Sequence, residues 1–110
     1  MSRAIKIDVE KQDVYYIDRP IGLDAIYEAI GNGCSMMEVA TYVGRDAIYV
    51  DEEILYRESD IRGGWAFPDF AQVILNNGLI VGTTDDGEDA DCTVTVDEIK
   101  SIIKFYRVAI

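Results

Sequence analysis

The chain has 110 residues, 49% of them apolar, and carries 21 acidic against 10 basic residues and no histidine, for a net charge of −11. That length fits one domain spanning residues 1–110, with enough apolar residues for a core that needs no metal or crosslink. The acidic balance argues against direct nucleic-acid binding, which needs clustered Lys and Arg, and the missing imidazole argues against most zinc, haem and acid–base chemistry.

Taken in order, Ala4 to Val9 alternates apolar and polar residues and reads as a strand. Glu10 to Asp13 is a polar turn, and Val14 to Ile17 a second strand. After Pro20, Leu23, Ile26, Tyr27 and Ile30 fall at i, i+3, i+4 and i+7, which predicts a short amphipathic helix. Asp24 suits its first turn, and Gly31-Asn32-Gly33 supplies residues that tolerate the left-handed conformation at its end.

Met36 to Tyr56 then reads as an antiparallel hairpin around which the rest is organised. Met37, Val39, Thr41 and Val43 alternate against Met36, Glu38, Ala40 and Tyr42, and Gly44-Arg45 fits a type II′ turn. Ala47 to Val50 returns, and Ile54-Leu55-Tyr56 can continue as a further short strand. The pattern dissolves from Arg57 to Asp69, which reads as a loop. Phe70 to Leu75 fits either a strand or a turn and a half of helix. Asn76-Asn77-Gly78 makes a turn or helix end, Leu79 to Thr83 a buried strand, and Asp85 to Asp91 an acidic loop. Thr95 and Glu98 form a capping box that opens a C-terminal helix, whose apolar stripe would be Ile99, Ile102, Ile103 and Tyr106. The sum is an α+β fold: an antiparallel sheet of five or six strands with two helices packed on one face.

Two cysteines, Cys34 and Cys92, fit no metal-ligand spacing, and the opening MSRAIKIDVE has no apolar core of a secretory signal. No stretch is long and apolar enough to span a membrane, so a cytoplasmic protein with reduced thiols is expected. The acidic loop DDGEDAD fails the EF-hand pattern, since Gly82 and Thr84 would take the first and third ligand positions and Ile99 the twelfth. No metal site and no cofactor follow. Ser2, Ser35, Ser59 and Ser101 and the thiols lack an activating imidazole, and no spacing singles out a carboxylate pair, so no catalytic residue and no enzyme are expected.

Two binding sites remain. Asp85, Asp86, Glu88, Asp89 and Asp91 offer an acidic surface to a host protein with a basic surface, in the manner of a nucleic-acid mimic. Alternatively, Arg57, Arg62, Gly63, Gly64 and Trp65 carry the parts to hold a small anionic ligand such as a nucleotide. The same parts serve equally as a loop whose Trp65 plugs the core beside Phe67 and Phe70. Tyr42, Tyr49 and Tyr56 give the hairpin an aromatic face that would suit a homo-oligomer, although tyrosine is also a good strand residue.

The segments IYVDEE, WAFPD, NNGLIVGTTDDGED and TVDEIKSII follow in an order that resembles a family of small uncharacterised proteins from bacteriophages and conjugative elements. The resemblance covers about residues 48–103; the chain departs from it in having Asp69 and Phe70 where that family carries an asparagine. It implies a phage or mobile-element origin and an accessory or inhibitory role, with no catalytic residue.

Overall fold

The computed structural model describes residues 3–54, 63–67 and 73–107. Five strands run antiparallel in the spatial order β2 (Asp13–Asp18), β1 (Arg3–Asp8), β7 (Gly78–Thr83), β4 (Asp46–Asp51), β3 (Met37–Val43), and β8 (Asp89–Ala90) joins as a sixth beside β7. A second, small sheet sets β5 (Gly63–Ala66) between β6 (Ile74–Leu75) and β9 (Lys104–Arg107). With helices α1 (Leu23–Ile30) and α2 (Val96–Ile102), the chain has the expected α+β architecture.

The central strands explain the layering. Every residue of β4 is buried, and five of the six in β7, so both faces of the main sheet must be covered. On one face Ile5, Ile7, Ile48, Val50 and Ile80 pack against Ile99 of α2 and Trp65 of the small sheet. On the other, Ala4, Ala47, Tyr49, Leu79 and Val81 pack against Ile26 and Ile30 of α1. The helices therefore lie on opposite faces rather than on one.

The β3–β4 hairpin turns at Gly44-Arg45, with Val43 opposite Asp46 and Gly44 at φ 61°, as the II′ reading requires. A bulge at Ala40 shifts the register between Val39 and Thr41, so the predicted alternation does not run through the strand. Beyond it Val43 faces the α2 side, while Met37 packs on the α1 side.

Three other expectations change. The last helix stops at Ile102, and Tyr106 belongs to β9, which pairs Phe105 with Trp65. Ile99 and Ile103 are buried, whereas Ile102 and Tyr106 are partly exposed, so strand pairing replaces the second half of the stripe. Leu23 of α1 is also exposed, leaving Ile26 and Ile30 as its buried pair. Within the segment read as a loop, residues 63–66 form strand β5, and Ile74–Leu75 settle as strand. Leu55, Tyr56 and Phe70 lie outside the described residues. Thr95 caps the helix, its Oγ1 accepting the Glu98 N–H at 3.1 Å, while the Glu98 carboxylate accepts the Thr95 hydroxyl at 3.2 Å instead of its backbone N–H.

Candidate functional site

The acidic loop is less free than its composition suggests. It is a tight connection: the Thr84 N–H donates to the Glu88 carbonyl at 2.8 Å and the Gly87 N–H to the Thr84 carbonyl at 2.9 Å. Asp85 pairs with Arg45 at 3.0 Å, both side chains largely in solvent, where such a pair contributes little. Asp89 accepts the Tyr49 hydroxyl at 2.6 Å. Burial, together with that bond, pushes the Tyr49 hydroxyl well above its ordinary value. Asp91 accepts the Arg3 N–H at 3.2 Å and lies 3.3 Å from Arg19 Nε, close enough for an ion pair but without hydrogen-bond alignment. Asp86 and Glu88 side chains stand exposed. Two arginines distant in sequence, Arg19 and Arg45, thus bring their side chains to this loop, and Arg3 adds a backbone N–H.

The alternative site is built differently from its sequence reading. Arg57 and Arg62 lie outside the described residues. Trp65 is completely buried, edge-on to Phe67 at 5.6 Å, and its indole N–H donates to the Asn76 carbonyl at 3.1 Å. It offers no open face for a base to stack on. Gly63 and Gly64 are buried too, and a Cβ on Gly64 would strike Val73 and come within 2.7 Å of the Ile74 carbonyl. Close packing of β5 accounts for this glycine pair.

Sequence reasoning missed two buried polar hubs. Asn76, at φ 68° and fully buried, donates to the Asp51 carboxylate at 3.1 Å and to the Gly31 carbonyl at 3.2 Å. Asn77 donates to the Ile30 carbonyl at 2.8 Å and accepts the Val9 N–H at 2.8 Å. Together they close the end of α1, tie it to β1 and orient Trp65. The second hub is Asp46, fully buried, whose carboxylate accepts the Thr93 N–H and hydroxyl and the Val94 N–H. It fixes the segment that leads into α2. Both hubs are internal, and their partners account for them as architecture.

The open chemistry lies elsewhere, along α1 and β3. An open groove of about 600 Å³ runs between one stripe of α1, Asp24, Tyr27 and Glu28, and the turn Gly33 to Ser35. Residues 20–44 contain three acids, Asp24, Glu28 and Glu38, and no Lys or Arg. The two arginines that bracket this stretch, Arg19 and Arg45, both turn to the acidic loop instead. The same stretch holds five of the large apolar residues left exposed: Ile21, Leu23, Met36, Val39 and Tyr42. Of the hairpin tyrosines, Tyr42 is 60% exposed, Tyr49 is buried, and Tyr56 lies outside the described residues. The sequence signal for this region is a run of 25 residues without positive charge, fainter than the dense DDGEDAD motif.

Among the described residues no group of Cys, Asp and Glu is arranged to hold a metal ion, and no helix is long and apolar enough to cross a membrane. No family model, curated protein or solved structure matches the chain in comparison with known proteins.

Proposed function

We propose that this protein is a non-enzymatic accessory or inhibitory binding protein whose acidic surface engages a basic surface on a host protein. The observation that carries the reading is the uneven neutralisation of its charge. The acidic loop is met by the guanidinium groups of Arg19 and Arg45, whereas Asp24, Glu28 and Glu38 share their stretch with no base. Charge arranged only for solubility has no reason to leave one flank uncompensated beside exposed apolar side chains. The binding surface therefore centres on the α1–β3 flank, with Asp86 and Glu88 of the loop as its outer rim.

The test is capture of basic proteins from a lysate by the immobilised chain, at low and high salt, with the D24N/E28Q and D86N/E88Q double variants alongside. The reading expects capture that salt abolishes and that D24N/E28Q weakens more than D86N/E88Q. Capture indifferent to salt and to both variants would sink it.

A further inference from the structure

β3 is the last strand of its sheet, and among the described residues no strand pairs with its outer edge. Natural edges are usually blunted by Lys, Pro or bulges. β3 has the bulge at Ala40 but neither Lys nor Pro, and its one charge is Glu38. The hairpin geometry fixes which backbone groups are free. With a two-residue turn, Val43 and Asp46 exchange both hydrogen bonds, so the N–H and C=O of the next residue, Tyr42, point to the open edge.

The side chains at that edge share a face with α1. Directly opposed residues of neighbouring strands project to the same side. Val39 lies opposite Tyr49 and Tyr42 opposite Ala47, and Tyr49 and Ala47 belong to the layer beneath α1. Val39 is 40% and Tyr42 60% exposed, so the edge has an apolar strip on the side where Asp24 and Glu28 line the groove.

Resting on the function proposed above, we infer that β3 accepts an extended, lysine- or arginine-rich segment of the partner as an added antiparallel or parallel strand. Main-chain bonds to the outer edge supply the attachment. The aliphatic stems of the partner's basic side chains lie on Val39 and Tyr42, and their charged ends reach the carboxylates of Asp24 and Glu28; Glu38, opposite Val50, projects to the other face and meets basic side chains of the added strand that point that way. Charge complementarity selects this occupant over a second copy of the chain, which has no base in residues 20–44 to offer in return.

The experiment uses a labelled peptide of alternating lysine and threonine, its fluorescence anisotropy titrated with the full chain at low and high salt. Its companions are the same peptide N-methylated at alternate residues, which keeps every charge but loses the outward donors, and the Val39→Lys and Tyr42→Lys variants, checked for unchanged circular dichroism. The inference expects salt-sensitive binding that weakens about tenfold on N-methylation, the scale of one or two lost main-chain bonds, and a similar loss in both variants. Binding that N-methylation and both variants leave unchanged overturns the strand-addition inference while leaving the acidic-surface reading in place. No binding at either salt overturns both. A dimer of the free chain that Tyr42→Lys dissociates gives the edge to a second copy and overturns the inference as well.

Discussion

Trp65→Phe tests the interior on which both sheets depend. The indole is fully buried, its N–H satisfies the Asn76 carbonyl, and it sits so close to β7 that a Cβ on Gly78 would come within 2.8 Å of its Cζ2. Phenylalanine keeps an aromatic ring there but removes the donor and roughly 40 Å³ of side chain, which at measured cavity costs amounts to about 1 kcal/mol. The Asn76 carbonyl, left dry without its partner, adds about 1–3 kcal/mol. A loss of about 2–4 kcal/mol is expected, or roughly 10–20 °C in Tm for a domain of this size. Urea unfolding followed by circular dichroism reads the difference, because the variant has no tryptophan. In the parent, Trp65 is the sole tryptophan, so native emission should be blue-shifted and untouched by iodide. A loss below about 0.5 kcal/mol, the range of an ordinary surface substitution, together with iodide quenching of the folded parent, would refute the buried assignment.

Other substitutions probe the remaining joints. Asp46→Ala strands the buried Val94 N–H and unties the entry to α2, so it should cost about 3 kcal/mol in chemical unfolding; a loss under about 1 kcal/mol would contradict that role. Gly64→Ala drives a methyl into Val73 and the Ile74 carbonyl, and a loss of about 1–3 kcal/mol is expected by the same assay. Tyr15 donates to Asp8 at 2.6 Å. Burial tends to raise the Asp8 carboxyl, but the Tyr15 bond, the Lys11 and Glu10 N–H groups and the nearby Lys6 charge bring it below its ordinary value of 3.8. Burial first, then the same bond and the Asp8 charge, push the Tyr15 hydroxyl up to about 12. A depressed carboxyl stabilises the fold above its unfolded pKa and loses that contribution as pH falls through the folded value; a raised phenol stabilises below about 10 and loses it as pH climbs toward 12. Tyr15→Phe should therefore move the acid-unfolding midpoint to higher pH and abolish the stability decline between pH 10 and 12 that Tyr15 causes in the parent. An unchanged pair of midpoints would count against the link.

What the sequence made legible was local. Strands β1 to β4, α1, the II′ turn and the Thr95–Glu98 cap all follow from residues within a few positions of one another. β5 was hidden because Gly63-Gly64 reads as a loop unless the close approach of Val73 and Ile74 is known. β9 was hidden because Lys104 to Arg107 continues a helical apolar spacing, and only Trp65, some forty residues earlier, gives Phe105 a reason to be extended. The placement of the helices could have been read, since AIYV in β4 is continuously apolar and such a strand needs cover on both faces. The candidate site divides in the same way. That residues 20–44 lack positive charge is visible in the sequence; that Arg19 and Arg45 gather at the acidic loop is a product of strand order alone.

The charge on α1 runs against its own stability. Asp24 and Glu28 are i, i+4 neighbours of like sign, an arrangement that costs a helix about 0.2–0.5 kcal/mol. Glu28 also sits in the last turn, which has no base, where the helix dipole disfavours a negative charge by about 0.3–1 kcal/mol. An eight-residue helix at the surface gains nothing structural from this placement, and a lysine at position 28 would reverse both terms. Glu28→Lys should therefore raise the stability of the free chain by about 0.5–1.5 kcal/mol, read as a higher urea midpoint at unchanged slope. The same substitution places a positive charge on the flank proposed to receive a basic partner, so it should weaken binding of the lysine–threonine peptide by about tenfold or more at low salt. Gain of stability with loss of binding is the signature of a charge kept for a partner. A variant that is stabilised yet binds the peptide as well as the parent would show that Glu28 serves no such partner, and would move the search for the docking surface away from α1.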